Sequence, residues 1–326
     1  MEKEKSIASQ LEPNLKPLYQ DLIKNVAHLD GEKCTFAVQW GNQYSLEVPR
    51  IVFVGRATNE WHGTEEDVNI LFGDPKKKET IFNCYDQMTW VDRDAQSPVY
   101  ATNGSAFWRV IRAVSRNYFP NDELNHVAWS NVCKIQYVNG KNPSGPLYNA
   151  QIETCQKIFK AEMDVLKPDF VIMFIGEFGK TDILSYMNGG QMPECVEIKK
   201  WDCYQAEVYK IGGTTYICTE HPMCKNESEH VKCIISLIEN NKRGKRNEIR
   251  EIIEKYRRMS GQERKYGAEK CSEYERIADY IEDNIDTYED SSYETEEDVI
   301  DDVKESLAQV DDFYSEEDYE NMDMLD

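Results

Sequence analysis

Three apolar runs in the chain end on polar, loop-forming residues. IVFVG (51–55) runs into RATNE, VAWS (127–130) into NVCK, and TTYIC (214–218) into TEHPMCK. The stretches Gly55–Glu60, Asn131–Lys134 and His221–Lys225 therefore gather amides, a carboxylate, an imidazole and cations where buried strands give way to loops. Open α/β sheets bind ligands outside the carboxyl ends of their strands, so three polar ends of this kind predict a shared crevice. Taken singly, Asn131 and His221 also suit the ordinary capping of strand ends.

The surrounding pattern supplies elements to position them. LKPLYQDLIKNVAHL and TFAVQW read as an N-terminal helix and a short strand packing on the core, within 1–44. RIVFVG has the continuous apolar character of a buried parallel strand. A polar stretch follows at 56–104, bearing Trp61, Trp90 and Tyr100, long enough to be a binding loop. In NGSAFWRVIRAVSRNYF, Phe107, Val110, Ile111 and Val114 share a helical face. HVAWSNVCKI reads as a strand, QIETCQKIFKAEMDVLKP as a helix ended by Pro168, and DFVIMFIG as a central strand. A short helix (KTDILSYM), three further strands and SEHVKCIISLIENN close the unit near 241. This alternation predicts an α/β fold, a three-layer αβα sandwich around a central, mostly parallel sheet, followed by an acidic, partly helical C-terminal tail.

The acidity is unevenly spread. Of the formal net charge of −22, residues 261–326 contribute 25 Asp/Glu against 5 Lys/Arg, leaving 1–260 nearly neutral. Residues 242–260 form a basic amphipathic helix candidate, and Val299, Ile300, Val303, Leu307 and Val310 line a helix over 295–310. The basic stretch suits either a solvated face or a DNA contact. The tail suits a solubilising appendage, disorder or a partner surface. The ten cysteines are scattered without a C-x-x-C pair, and the charged opening MEKEKSIASQ does not read as a signal peptide. No run approaches the ~20 apolar residues of a membrane-spanning helix. Reduced thiols, a cytoplasmic location, no membrane and no metal are expected.

At these strand ends the sequence resembles the uracil-DNA glycosylase superfamily, in particular the mismatch-specific uracil/thymine glycosylases. VGRATNEW (54–61) resembles the family's glycine-led loop, and FWRVI (107–111) the helix after it. WSNVCKIQYVNGKNPSGP (129–146) resembles the base-reading segment, LKPDFVIMFIG (166–176) the central strand, and TEHPMCKN (219–226) the His-Pro motif. The resemblance covers about 45–241, with the motifs in the family's order.

It implies an enzyme that flips a nucleotide out of DNA and hydrolyses its N-glycosidic bond. His221 then resembles the neutral donor to a base oxygen, and Asn131 the reader of the base edge. Phe107 resembles the stacking floor (Trp108 or Tyr100 being alternatives), with Gly55 and Ala57 beside the base. Met223 resembles the apolar wedge, and Lys225 and Ser144 fall where DNA would be contacted. One departure stands out. The family's acid or amide just after the glycine is replaced by Arg56 and Ala57, so Asn59 or Glu60 would have to orient the water. Cysteines for an iron–sulfur cluster are missing, and no cofactor is expected.

The implied partner is DNA, single- or double-stranded, with a protein partner open for the acidic tail. Three other functions remain compatible with the residues. The chain could be an inactive glycosylase fold that binds nucleic acid or protein, a hydrolase of free nucleotides or nucleosides, or a regulated or DNA-mimicking partner.

Overall fold

The Ser6 hydroxyl accepts the Ser9 amide and caps α1 (Ile7–Val26), whose Leu11, Leu15, Tyr19, Leu22 and Val26 form one buried stripe. The computed structural model describes residues 6–44, 49–58, 68, 72, 88, 90–98, 100–138, 140–266, 268–290 and 295–308. After α1 come β1 (Lys33–Thr35), β2 (Gln39–Trp40), β3 (Ile51–Gly55), α2 (Ala106–Tyr118), β4 (Val127–Asn131) and β5 (Ile135–Tyr137). Then follow α3 (Gly145–Leu166), β6 (Phe170–Phe174), α4 (Lys180–Met187), β7 (Cys195–Trp201), β8 (Tyr204–Ile211) and β9 (Thr214–Thr219). The C-terminal helices are α5 (Glu227–Ser260), α6 (Ala268–Asp283) and α7 (296–308), with the short helices Glu263–Tyr266 and Ile285–Asp290 also described.

The main sheet has the order β2-β4-β3-β6-β9-β8-β7. Its centre, β4-β3-β6-β9, is parallel, while β2, β8 and β7 join antiparallel. The fold is thus α/β with a mixed sheet whose parallel part is confined to the four central strands. From β3 the chain steps to β4 on one side, then to β6 and β9 on the other. The carboxyl ends of β3 and β6 are therefore the switch point at which such sheets take their ligands.

The central strands are buried on both faces, which explains their unbroken apolar character. Val52, Val54, Val171, Met173 and Cys218 join a cluster with residues of α1, α3 and α4. Their neighbours Ile51, Phe53, Ile172, Phe174 and Ile217 join another with α2 and the first turns of α5. Full burial of each such side chain contributes about 1.5–3 kcal/mol.

Several boundaries differ from the sequence reading. TFAVQW is two strands, β1 and β2, and HVAWSNVCKI is also two, because β5 leaves the main sheet to pair antiparallel with β1. α3 begins at Gly145, with Pro146 in its first turn, where a missing N–H costs nothing. It stops at Lys167, which takes φ 45° just before Pro168. SEHVKC and the basic stretch are one helix, since Gly244 costs only about 1 kcal/mol in a helix interior and no proline intervenes.

The chain divides into two compact units, 1–238 and 239–326. Within the second, Ile249 and Ile253 of α5 pack with Ile277, Ala278, Ile281, Val299, Ile300 and Val303. Basic and acidic segments also pair there: Lys255 with Glu296 (2.5 Å), and Arg257 with Asp279 (3.4 Å) and Glu282.

Candidate functional site

Gly55 ends β3 directly beside Asn131, which ends β4. A Cβ at Gly55 would stand 2.4 Å from the Asn131 amide and 3.5 Å from Phe107 Cζ, so only glycine permits this approach. Asn131 is 1% exposed. With the amide turned so that both of its groups are satisfied, Nδ2 donates to the carbonyls of Ser130 (3.2 Å) and Ala57 (3.3 Å), which ties it to the loop after β3. That loop is held further by Val132 N–H donating to Gly55 O (2.9 Å) and Cys133 N–H donating to Arg56 O (3.0 Å).

Ser130 and Lys134, either side of Asn131 in the chain, take part in a buried charge pair. Lys134 Nζ donates to Glu162 Oε2 (2.8 Å) and to the Ser130 hydroxyl (2.8 Å), and that hydroxyl donates to the same carboxylate (2.6 Å). Both charged side chains are fully buried. Burial pushes the Glu162 carboxyl above its ordinary range, opposed by Lys134 and Ser130.

Phe107 sits in the first turn of α2, and its ring stacks on His221, with centroids 5.8 Å apart and planes 12° from parallel. Trp108 instead packs edge-on to Trp90 and Trp129 in the core, and Tyr100 packs against the same cluster. Phe107 is therefore the aromatic ring placed against the imidazole.

His221 Nδ1 accepts the Met223 amide at 3.2 Å. A neutral ring so held carries its proton on Nε2 and presents an N–H donor. Burial, aided by the Arg56 and Lys225 charges, pushes this imidazole down to about 4, so it is neutral at physiological pH. A neutral, fixed N–H donor suits an oxygen on which negative charge develops.

The remaining sequence candidates are less tightly gathered. Met223 is 64% exposed, and Lys225 places its ammonium 4.8 Å above the Tyr204 ring. Ser144 is exposed at the N-cap of α3, and no hydrogen bond or ring contact among the described residues joins it to the Gly55–Asn131–Phe107–His221 group. Asn59 and Glu60 lie outside the described residues.

Two residues here escaped the sequence reading. Glu220 sits 4.0 Å from the Arg56 guanidinium, whose Nε donates to Ile175 O (2.9 Å). Both groups stand over Gly176 at the end of β6, which has φ 56° and leaves them room. His230 is buried on α5, its Nε2 3.0 Å from the Thr219 hydroxyl and its ring flat on Trp201 at 3.9 Å and 5°. Burial, with smaller effects from Lys225 and His221, pushes His230 down to about 3. Glu220 was visible within TEHP. His230 carried no signal beyond one polar residue in an apolar helix stripe.

Among the described residues no cluster of His, Cys, Asp or Glu is placed to hold a metal ion, and no helix is long and apolar enough to cross a membrane. No family model matches the chain, and no curated protein matches it.

Proposed function

We propose that residues 45–241 form a uracil-DNA glycosylase-like, three-layer αβα domain. It hydrolyses the N-glycosidic bond of uracil or another altered base flipped out of single- or double-stranded DNA. The observation that carries this reading is the neutral His221, stacked on Phe107 at the switch point whose floor is Gly55 and Asn131. As the bond to the sugar breaks, its electron pair moves onto the base, and His221 Nε2–H stabilises the oxygen that receives the charge. Asn131 reads the base edge, Phe107 stacks on the base, and exposed Met223 fills the gap left in the duplex. Water adds to the sugar carbon and its proton ends on the departing base. Asn59 or Glu60 would orient that water, and Glu220 is a further carboxylate at the same strand ends. The acidic tail is regulatory, and the protein acts in the cytoplasm.

One observation favours a second reading, a glycosylase fold that binds DNA or a protein without cleaving. Arg56 occupies the place of the usual acid or amide, and its guanidinium is engaged with Ile175 O and Glu220. Base release from uracil-containing single-stranded and duplex DNA, measured for the wild type and His221→Ala, separates the two readings. Release lost in the variant supports hydrolysis. DNA binding without release by the wild type supports the binding fold.

A further inference from the structure

β7 is the outermost strand of the main sheet, and among the described residues nothing pairs with its outer edge. Four large apolar side chains are exposed among the described residues, and two of them lie on this strand, Val196 (53%) and Ile198 (58%), with Met192 (39%) three residues before it. Monomeric proteins commonly blunt such edges with lysines and bulges. β7 has both, since Lys199 and Lys200 follow Ile198 and the register shifts between Cys195 and Glu197. The charges, however, are spaced to complement themselves.

An antiparallel pairing of two copies about a two-fold axis normal to the sheet must centre on one residue. Centred on Lys199, it sets lysine against lysine; centred on Glu197, carboxylate against carboxylate. Like charges directly opposite destabilise a sheet pair. Centred on Ile198, it sets Ile198 against its copy, places Glu197 opposite Lys199 twice, and lays the Lys200 stem along Val196 twice. Among the centres from Glu197 to Lys200, beyond the bulge, this register alone is free of like-charge opposition, and it also buries the most exposed apolar residue of the strand.

We propose that β7 is a homodimer interface, with β7 of a second copy as its occupant, antiparallel and centred on Ile198. The bulge at Val196 ends the ladder, so the contact is short. Short edge contacts give weak association, with dissociation constants on the order of 10–100 μM. This inference is independent of the proposed glycosylase activity.

Sedimentation velocity on the full chain at ~5–300 μM and ~150 mM salt tests it. A reversible dimer is expected, weakened more than about tenfold by Ile198→Lys, and likewise by Glu197→Lys or Lys199→Glu alone. Lys199 also donates to the Ser236 hydroxyl, so single variants are checked for an unchanged melting transition. The double exchange Glu197→Lys with Lys199→Glu restores complementarity and should return the dimer to within about threefold of wild type. A monomer at every concentration overturns the proposal, as does a dimer indifferent to Ile198→Lys or one that the double exchange fails to restore.

Discussion

Phe107 and His221 lie face to face, 5.8 Å between ring centroids, while the Met223 amide holds the imidazole at Nδ1. The ring is thereby fixed in position, tautomer and charge. On the proposed chemistry, His221→Ala lowers the single-turnover rate of base release by roughly 10²–10³, the scale for one lost oxyanion donor. Because burial keeps the ring neutral down to about pH 4, the wild-type rate should show no limb near the ordinary histidine value of about 6.5. A rate that titrates near there, and loses that limb in His221→Ala, contradicts the neutral-donor assignment.

Gly55→Ala drives a methyl group to 2.4 Å from the Asn131 amide. The amide must move, and its bonds to Ala57 O and Ser130 O are disturbed. The expected result is destabilisation of about 1–3 kcal/mol with a larger loss of uracil selectivity than of DNA affinity. Asn131→Asp should weaken uracil recognition, since a carboxylate cannot make the bonds to Ala57 O and Ser130 O that orient the side chain. Selectivity unchanged in both variants would limit these residues to a structural part.

Lys134 and Glu162 are mutually dependent. Glu162→Ala strands a buried ammonium and should cost about 3–5 kcal/mol in urea unfolding. Replacing both by methionine should cost much less, because no charge then remains uncompensated. A double variant as unstable as the single one would show that the ion pair itself, not the avoidance of a lone charge, holds this region.

Acid should loosen the fold through two histidines. His221 and His230 sit at about 4 and about 3 in the folded protein, below the value near 6.5 of the unfolded chain. Between those values the unfolded chain binds protons that the folded one refuses. Their stability contribution is complete above pH ~6.5 and is lost as pH falls towards their folded values. Urea midpoints at about pH 7.5 and 5.5 measure it, and His230→Gln should flatten the difference.

The tail concerns DNA affinity. Arg257 and Lys255 pair with Asp279, Glu282 and Glu296, so these cations are held by acids within their own unit. Removing 261–326 should raise DNA affinity at ~50 mM salt and matter far less at ~300 mM, where screening shortens every such interaction. Equal low-salt affinities would leave partner binding as the tail's role. Ile249 and Ile253 lose their packing in the truncation, so a charge variant, Asp279→Lys with Glu282→Lys, serves as its companion.

The parallel centre of the sheet was legible because strands buried on both faces carry unbroken apolar runs, as in Ile51–Gly55 and Phe170–Phe174. α4 was legible too, KTDILSYM being bounded by Gly179 and the Asn188–Gly189 turn. The division of TFAVQW was not, since it depends on where β5 pairs, a tertiary choice. Gly55, Asn131 and His221 could be singled out because each ends an apolar run, and the sheet order then brings those ends together. Glu220 opposite Arg56 could not, because their meeting requires β3, β6 and β9 to lie side by side. The hydrogen bonds that commit the Asn131 amide to Ala57 O likewise exist only in three dimensions.

Trp201 and His230 are stacked closely enough to share more than packing. An imidazolium in contact with an indole quenches its fluorescence by accepting an excited electron, whereas a neutral imidazole does so poorly. The protein therefore carries an optical gauge of one buried charge. Trp201 should emit while His230 is neutral, and its darkening on acidification would mark the arrival of a proton where the intact fold resists one.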